Sequence, residues 1–244
     1  MQGTWIYDLE NVRIMMASRS CFTVVTMPTH YKDDALLQRS IDKYRELRLK
    51  SLKSDPESFS STFASESGRP VNFWTNRMLR PGARHLLAVE LSNHSGALSV
   101  ADESQAILES KWVGMLVLLG PNSIASNSSP PEKTLSGRLV EDNTDAKIEA
   151  LASAYHMAGF YVAPEHRGHG IGGALVQNAM EVIANDCEEM PNPKAICTVG
   201  TSHTNLVVRR LFKRIGFEEV GEDQLDTIDG RHLTEITLRL DLGH

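Results

Sequence analysis

The segment PEHRGHGIGG, residues 164–173, sets four glycines, two histidines and an arginine in ten positions. Between a strand and a helix, such a loop binds anions. The first N–H groups of a helix lack partners within it, and the helix dipole places positive potential there. Glycine lets a phosphate approach the backbone without a side chain in the way. Arg167 adds a fixed cation at the mouth. Two patterns overlap in these letters. Gly168, Gly170 and Gly173 spell G-x-G-x-x-G, the dinucleotide fingerprint, while Arg167, Gly170 and Gly172 spell R-x-x-G-x-G.

The elements needed to position that loop are legible on both sides. HMAGFYVA (156–163) reads as the strand leading in. Ile171, Ala174, Leu175, Ala179, Val182 and Ile183 mark one face of the helix leading out. The dinucleotide reading fits this layout poorly. Its glycines should follow a first strand at once, with further strand–helix units beyond, yet PEHR intervenes two-thirds along the chain. Asp186 stands at about the right distance for a ribose contact, but in what reads as a polar turn.

Elsewhere, residues 1–20 show no period and read as a loose extension ahead of a domain over 21–244. CFTVVTM (21–27) reads as a strand. Leu36, Leu37, Ile41, Tyr44 and Leu47 follow helical spacing up to Pro56, and a second helix includes Phe73, Trp74 and Met78. HLLAVEL (85–91) and KWVGMLVLL (111–119) read as strands, and 120–146 as a long polar loop. The span 145–155 is ambiguous between helix and strand. AICTVG (195–200) is another strand, Leu206–Ile215 a helix stopped by Gly216, and FEEVG with HLTEITLRL (232–240) a closing hairpin. The order describes an α/β mixed sheet in one domain.

The stretch FYVAPEHRGHGIGGALV (160–176) resembles the acetyl-CoA signature of the GNAT acyltransferase superfamily. NLVVRRLFKRIGF (205–217) is similar to that family's downstream segment, and RLKSLKSDPESFSSTF (48–63) looks like its first helical region. The resemblance spans most of residues 33–240. It implies a central sheet splayed at one point to admit acetyl-CoA, without a metal. Arg167, Gly168, His169, Gly170, Ile171, Gly172 and Gly173 would cradle the pyrophosphate. Phe160, Tyr161 and Val162 would hold pantetheine through their backbones, on a strand that in this family often carries a bulge. One of their N–H groups would polarise the thioester carbonyl. Asn205 would sit by the cofactor arm, cap its helix, or both.

The resemblance implies direct acetyl transfer to an amine within a ternary complex. An alkylammonium must lose a proton first, which calls for a general base. Many relatives carry a glutamate near the start of the motif strand, where this chain places His156. The alternative is that His156 is an ordinary hydrogen-bonded histidine; His203 is a second candidate. Period two puts His156, Ala158, Phe160 and Val162 on one strand face. Many relatives also carry a tyrosine that protonates the leaving thiolate, where this chain has Phe212. That departure leaves open a catalytically weak acyl-CoA-binding sensor. Cys187, read in a turn, and Cys197, in a buried strand, have no clear activating partner for a Cys-linked intermediate.

The totals agree with a globular protein: 244 residues, 41% hydrophobic and 23% charged. A formal charge of −6 and a pI near 5.8 argue against nucleic acid and fit a cationic partner better. Three cysteines without a close pair offer no zinc ligand set and suggest a reducing compartment. No apolar run is long enough to span a bilayer. A cytoplasmic location is expected, with a nuclear one and a homodimer left open. The acceptor, a small amine or a peptide, is not legible.

Overall fold

The apolar runs around Phe22, Leu87 and Leu116 pair as adjacent antiparallel strands, because one apolar face must be buried while every backbone group keeps a partner. The computed structural model describes residues 5–9, 12–17, 20–90, 107–121, 153–188, 194–227 and 230–243. Its strands are β1 (Trp5–Leu9), β2 (Val12–Ala17), β3 (Ser20–Thr26), β4 (Ala83–Glu90), β5 (Lys111–Leu119), β6 (Ser153–Val162), β7 (Ala195–Ser202), β8 (Glu218–Asp226) and β9 (His232–Leu242). They form one mixed sheet in the order β1-β2-β3-β4-β5-β6-β7-β9-β8. Only the β6–β7 pairing is parallel.

Helices cover both faces. On one lie α1 (Asp34–Ser54), α2 (Phe63–Ser67) and α3 (Val71–Met78); on the other lie α4 (Ile171–Glu188) and α5 (Leu206–Ile215). Ile41, Tyr44, Leu47, Trp74 and Met78 join Leu87, Val89 and Met115 in one core. Leu175, Ala179, Ile183 and Phe212 join Leu86, Leu116 and Leu238 in the other. No helix among the described residues is long and apolar enough to cross a membrane.

Several expectations change. Residues 5–9 and 12–17, expected as loose, supply β1 and β2, added to the edge at β3. Backbone pairing at an edge needs no periodic apolar side chains, so the pattern gave no sign of it. The ambiguous span resolves from Ser153 onward as β6, while 145–152 lie outside the described residues, as do 122–146 of the long loop. Asp186 and Cys187 are in the last turns of α4, not in a turn beyond it.

The expected grouping of His156 with Phe160 also fails. Between the pairs Val117↔Ala158 and Met115↔Tyr161, β6 carries Gly159 and Phe160 against Leu116 alone. This is a β-bulge, and Gly159 takes φ +61°, where a side chain would strain the backbone. The extra residue reverses the alternation. Tyr155 and Met157 before it, and Phe160 and Val162 after it, all join the α4–α5 core. His156 therefore shares the α1 face with Tyr161.

Candidate functional site

The sheet opens between its two parallel strands. The β6–β7 pairing runs from Ser153↔Ala195 to Met157↔Val199 and then stops. Beyond that row β6 continues to Val162, paired only with β5, and β7 continues to Ser202, paired only with β9. The result is a cleft through the sheet with the bulge at its apex. Phe160, Tyr161 and Val162 form one wall.

At the top of that wall the chain turns through residues 164–170 into α4. Gly168 at φ +80° and Gly170 at φ +84° hold the left-handed backbone that makes the turn. A Cβ on Gly168 or Gly173 would have no atom within 4 Å, so the loop is open at both positions. Gly172 differs. Its Cβ would lie 3.1 Å from Phe160 Cζ and 3.3 Å from Leu211 Cδ2, so its bareness serves the packing of α4 on β6 and α5. Ile171 is buried in the core below the loop and anchors the helix start; only its backbone is placed to meet a ligand. His169 is exposed, with Nδ1 3.3 Å from the His166 carbonyl.

Arg167 does not extend freely into solvent. Its Nε donates to the Val162 carbonyl at 2.9 Å, and its Nη2 donates to Asp55 Oδ2 at 2.6 Å. Asp55 caps the C-terminus of α1. Lys50 of α1 pairs with Glu165 at 2.7 Å, and Ser54 Oγ donates to the Tyr161 hydroxyl at 3.1 Å. The last turns of α1 thus fasten the loop from below and aim the arginine. The resemblance over 48–63 includes these α1 residues but does not pair them with the loop, because the contacts join residues more than one hundred positions apart.

Asn205 caps α5, accepting from the Val208 N–H at 3.3 Å, while its amide nitrogen donates to Ser58 Oγ at 3.4 Å. Its side chain thus ties α5 to the turn after α1. Phe212 is fully buried, edge-on to Phe160 at 5.6 Å and to Phe217 at 5.1 Å between ring centroids. It is part of the core under the cleft wall. Glycine 173 provides a clean separation of fold from binding. Gly173→Ala is expected to keep or raise stability, by about 0.5–1 kcal/mol for alanine over glycine in a helix. The same methyl should weaken binding of a pyrophosphate ligand, which paired melting and calorimetry would detect.

His156 lies one residue before the last β6–β7 pair, buried, with Nδ1 2.9 Å from Thr198 Oγ1. Burial alone pushes its pKa down to about 4, so the ring is neutral in ordinary buffer. His203 lies in the turn after β7, where its backbone N–H donates to the Thr234 carbonyl. Asp186 is committed to Arg84 at 2.6 Å and to the Tyr155 hydroxyl at 2.9 Å, which leaves it no ribose role. Cys197 is buried and its thiol is pushed up to about 12 by that burial; burial and then Asp186 raise Cys187.

Residues missed by sequence reasoning are Lys50, Ser54, Asp55 and Gly159. One more, Glu235, is a buried carboxylate on β9. Its sole signal was a charged residue in an alternating strand, the ordinary mark of a solvated face.

Residues 136–219 match the family model described as an acetyltransferase (GNAT) domain. No curated protein sequence matches the chain significantly. Among solved structures, Arabidopsis thaliana NAA60 in complex with a bisubstrate analogue is similar in fold, with a TM-score of 0.51 at 14% identity, covering 90% of this chain and 99% of that one. The same protein in complex with acetyl-CoA gives a TM-score of 0.50 at 14% identity, covering 90% and 98%. RimL, a ribosomal L7/L12 α-N-protein acetyltransferase solved with coenzyme A, gives 0.53 at 11% identity, covering 93% and 97%. The strand leading to the cleft, the glycine loop and α4 all lie inside the segment that matches a GNAT acetyltransferase domain, and the chain as a whole has the fold of these acetyltransferase structures.

Proposed function

We propose that the protein moves the acetyl group of acetyl-CoA directly to an amine acceptor in a ternary complex held in the β6–β7 cleft. The observation that carries this reading is the junction of three features. The β6–β7 pairing ends at Met157↔Val199, the bulge at Gly159 sits at that apex, and the open glycine loop leads into α4 at the far end of the same strand. The N–H groups of residues 168–173 and the Arg167 guanidinium would hold pyrophosphate. The backbones of Phe160, Tyr161 and Val162 would hold pantetheine, with one N–H polarising the thioester carbonyl.

The acceptor would reach the thioester from the face that carries α1 and Tyr161. His156 faces that side. As a neutral imidazole it would accept the amine proton through water. The amine nitrogen then bonds to the acetyl carbon and the C–S bond breaks. Phe212 has no proton to give, so the departing thiolate takes one from water. The unactivated state of Cys187 and Cys197 supports direct transfer over a cysteine-linked route.

Incubation with acetyl-CoA and a panel of amines and peptides is expected to release free CoA thiol. Saturable CoA binding without turnover on any acceptor would instead favour the sensor reading, to which Phe212 lends some support. Stabilisation by NAD(P) but not by CoA would overturn both. His156→Gln is expected to lower kcat/KM by about 100-fold, within the range for general acid–base groups. Unchanged activity with an unchanged pH profile would remove His156 from the chemistry.

A further inference from the structure

The α1 face of the sheet holds a carboxylate that the mechanism above does not use. Glu235 lies on β9, opposite Ser202 of β7 on one side and Asp223 of β8 on the other. Its neighbour Ile236 points into the α4–α5 core, so strand alternation turns Glu235 to the opposite, α1 face, which His156 shares. Ser202 is three residues past Val199, where the β6–β7 pairing ends. Glu235 therefore stands beside the open end of the cleft.

Its surroundings are unusual for a carboxylate. Glu235 is 4% exposed, and its Oε1 is buried with no hydrogen-bond partner. Among the charged groups on adjoining elements, Asp223 faces it and repels it. Burial first and Asp223 second push its carboxyl up to about 8. Arg231, just before β9, donates to the Pro56 and Phe59 carbonyls at 3.0 and 3.4 Å, and Arg239 donates to Asp241 at 2.7 Å. A buried carboxylate without a partner is costly to keep.

We propose that Glu235, with Asp223 beside it, is the acceptor-recognition site and that it takes an aliphatic ammonium group. A cation would satisfy the orphaned oxygen and offset the repulsion between the two carboxylates. The acceptor class is then a cationic amine, and neutral amines of the same size are poor substrates. This rests on the β6–β7 cleft being the site of transfer.

Calorimetry on the full chain separates the two readings. CoA affinity is measured first; absence of CoA binding would sink the transfer reading. The CoA-loaded protein is then titrated with putrescine near pH 7 in buffers of different ionisation enthalpy. The free carboxyl is largely protonated there, and pairing with a cation ionises it, so binding is expected to release a proton. Glu235→Gln should abolish that release and weaken putrescine binding roughly 30-fold or more, as for loss of one partner of a buried charge pair. CoA affinity should not move. Asp223→Asn should weaken putrescine binding less. Thermal melting checks the fold, and Glu235→Gln is expected to melt no lower than wild type at pH 8. Wild-type putrescine affinity in Glu235→Gln, or normal CoA binding without putrescine binding or proton release, would overturn the Glu235 site alone.

Discussion

Replacing Arg167 by glutamate is expected to weaken CoA binding by roughly 100-fold while leaving the fold intact, as judged by calorimetric titration beside a thermal melt. The guanidinium is aimed by two bonds, one to the Val162 carbonyl and one to the Asp55 carboxylate. Glutamate cannot donate to Val162, repels Asp55, and presents an anion to the phosphates. A hydrogen bond to a charged group contributes about 1.5–3 kcal/mol, and reversal adds repulsion to its loss. The folding cost should be small, because the Arg167 side chain is 47% exposed and such pairs contribute about 0–1 kcal/mol. Arg167→Lys keeps the charge but loses the planar fork, so an intermediate affinity is expected. Raising salt should narrow the gap between wild type and Arg167→Glu. Equal CoA affinity in all three proteins would mean that the loop holds no phosphate.

The second large effect lies among the helices on the α1 face. Glu66→Ala is expected to cost about 3–5 kcal/mol of stability, read by urea denaturation at pH 7. Glu66 of α2 is buried and accepts from Arg48 of α1 at 3.1 and 2.9 Å and from Arg77 of α3 at 3.1 Å. It joins the three helices that pack on that face. Removing it strands the Arg48 guanidinium, which is also buried and cannot shed its proton. Burial acts to raise the Glu66 carboxyl, but the Arg48 bonds and the charges of Arg48 and Arg77 outweigh it and hold the group at about 2. The folded value lies below the unfolded one near 4.5. The stabilisation is therefore complete above that pH and is lost as pH falls from there toward 2. The gap between wild type and Glu66→Ala should shrink over that window. A gap that stays constant as the pH falls from neutral to about 2 would show that the carboxylate's charge is not what holds the helices.

Local chemistry explains which features were legible. Gly168 and Gly170 adopt positive φ, and a turn of that shape leaves its mark in the letters themselves. Gly216 ends α5 in the left-handed conformation for the same reason. The apolar spacing of Ile41, Tyr44 and Leu47, or of Ala174, Leu175 and Ala179, reports a buried helix face because the helix period is constant. Strand alternation has an equally constant period, yet it breaks within 156–162. One inserted residue at Gly159 reverses the period; the family resemblance allows a bulge on this strand, but only the register of β5 against β6 fixes where it falls.

The sequence by itself determined the α/β order of most elements from β3 onward, the glycine turn before α4 and the GNAT resemblance, since each depends on residues within a few positions of one another. Only the tertiary structure decided that Arg167 is aimed by Asp55, that His156 is buried and neutral against Thr198, that Gly172 serves packing, and that Glu235 is a carboxylate left without a partner. Burial and charge pairing are properties of neighbours in space. Chain folding brings those neighbours together from distant positions, and no local spacing encodes them.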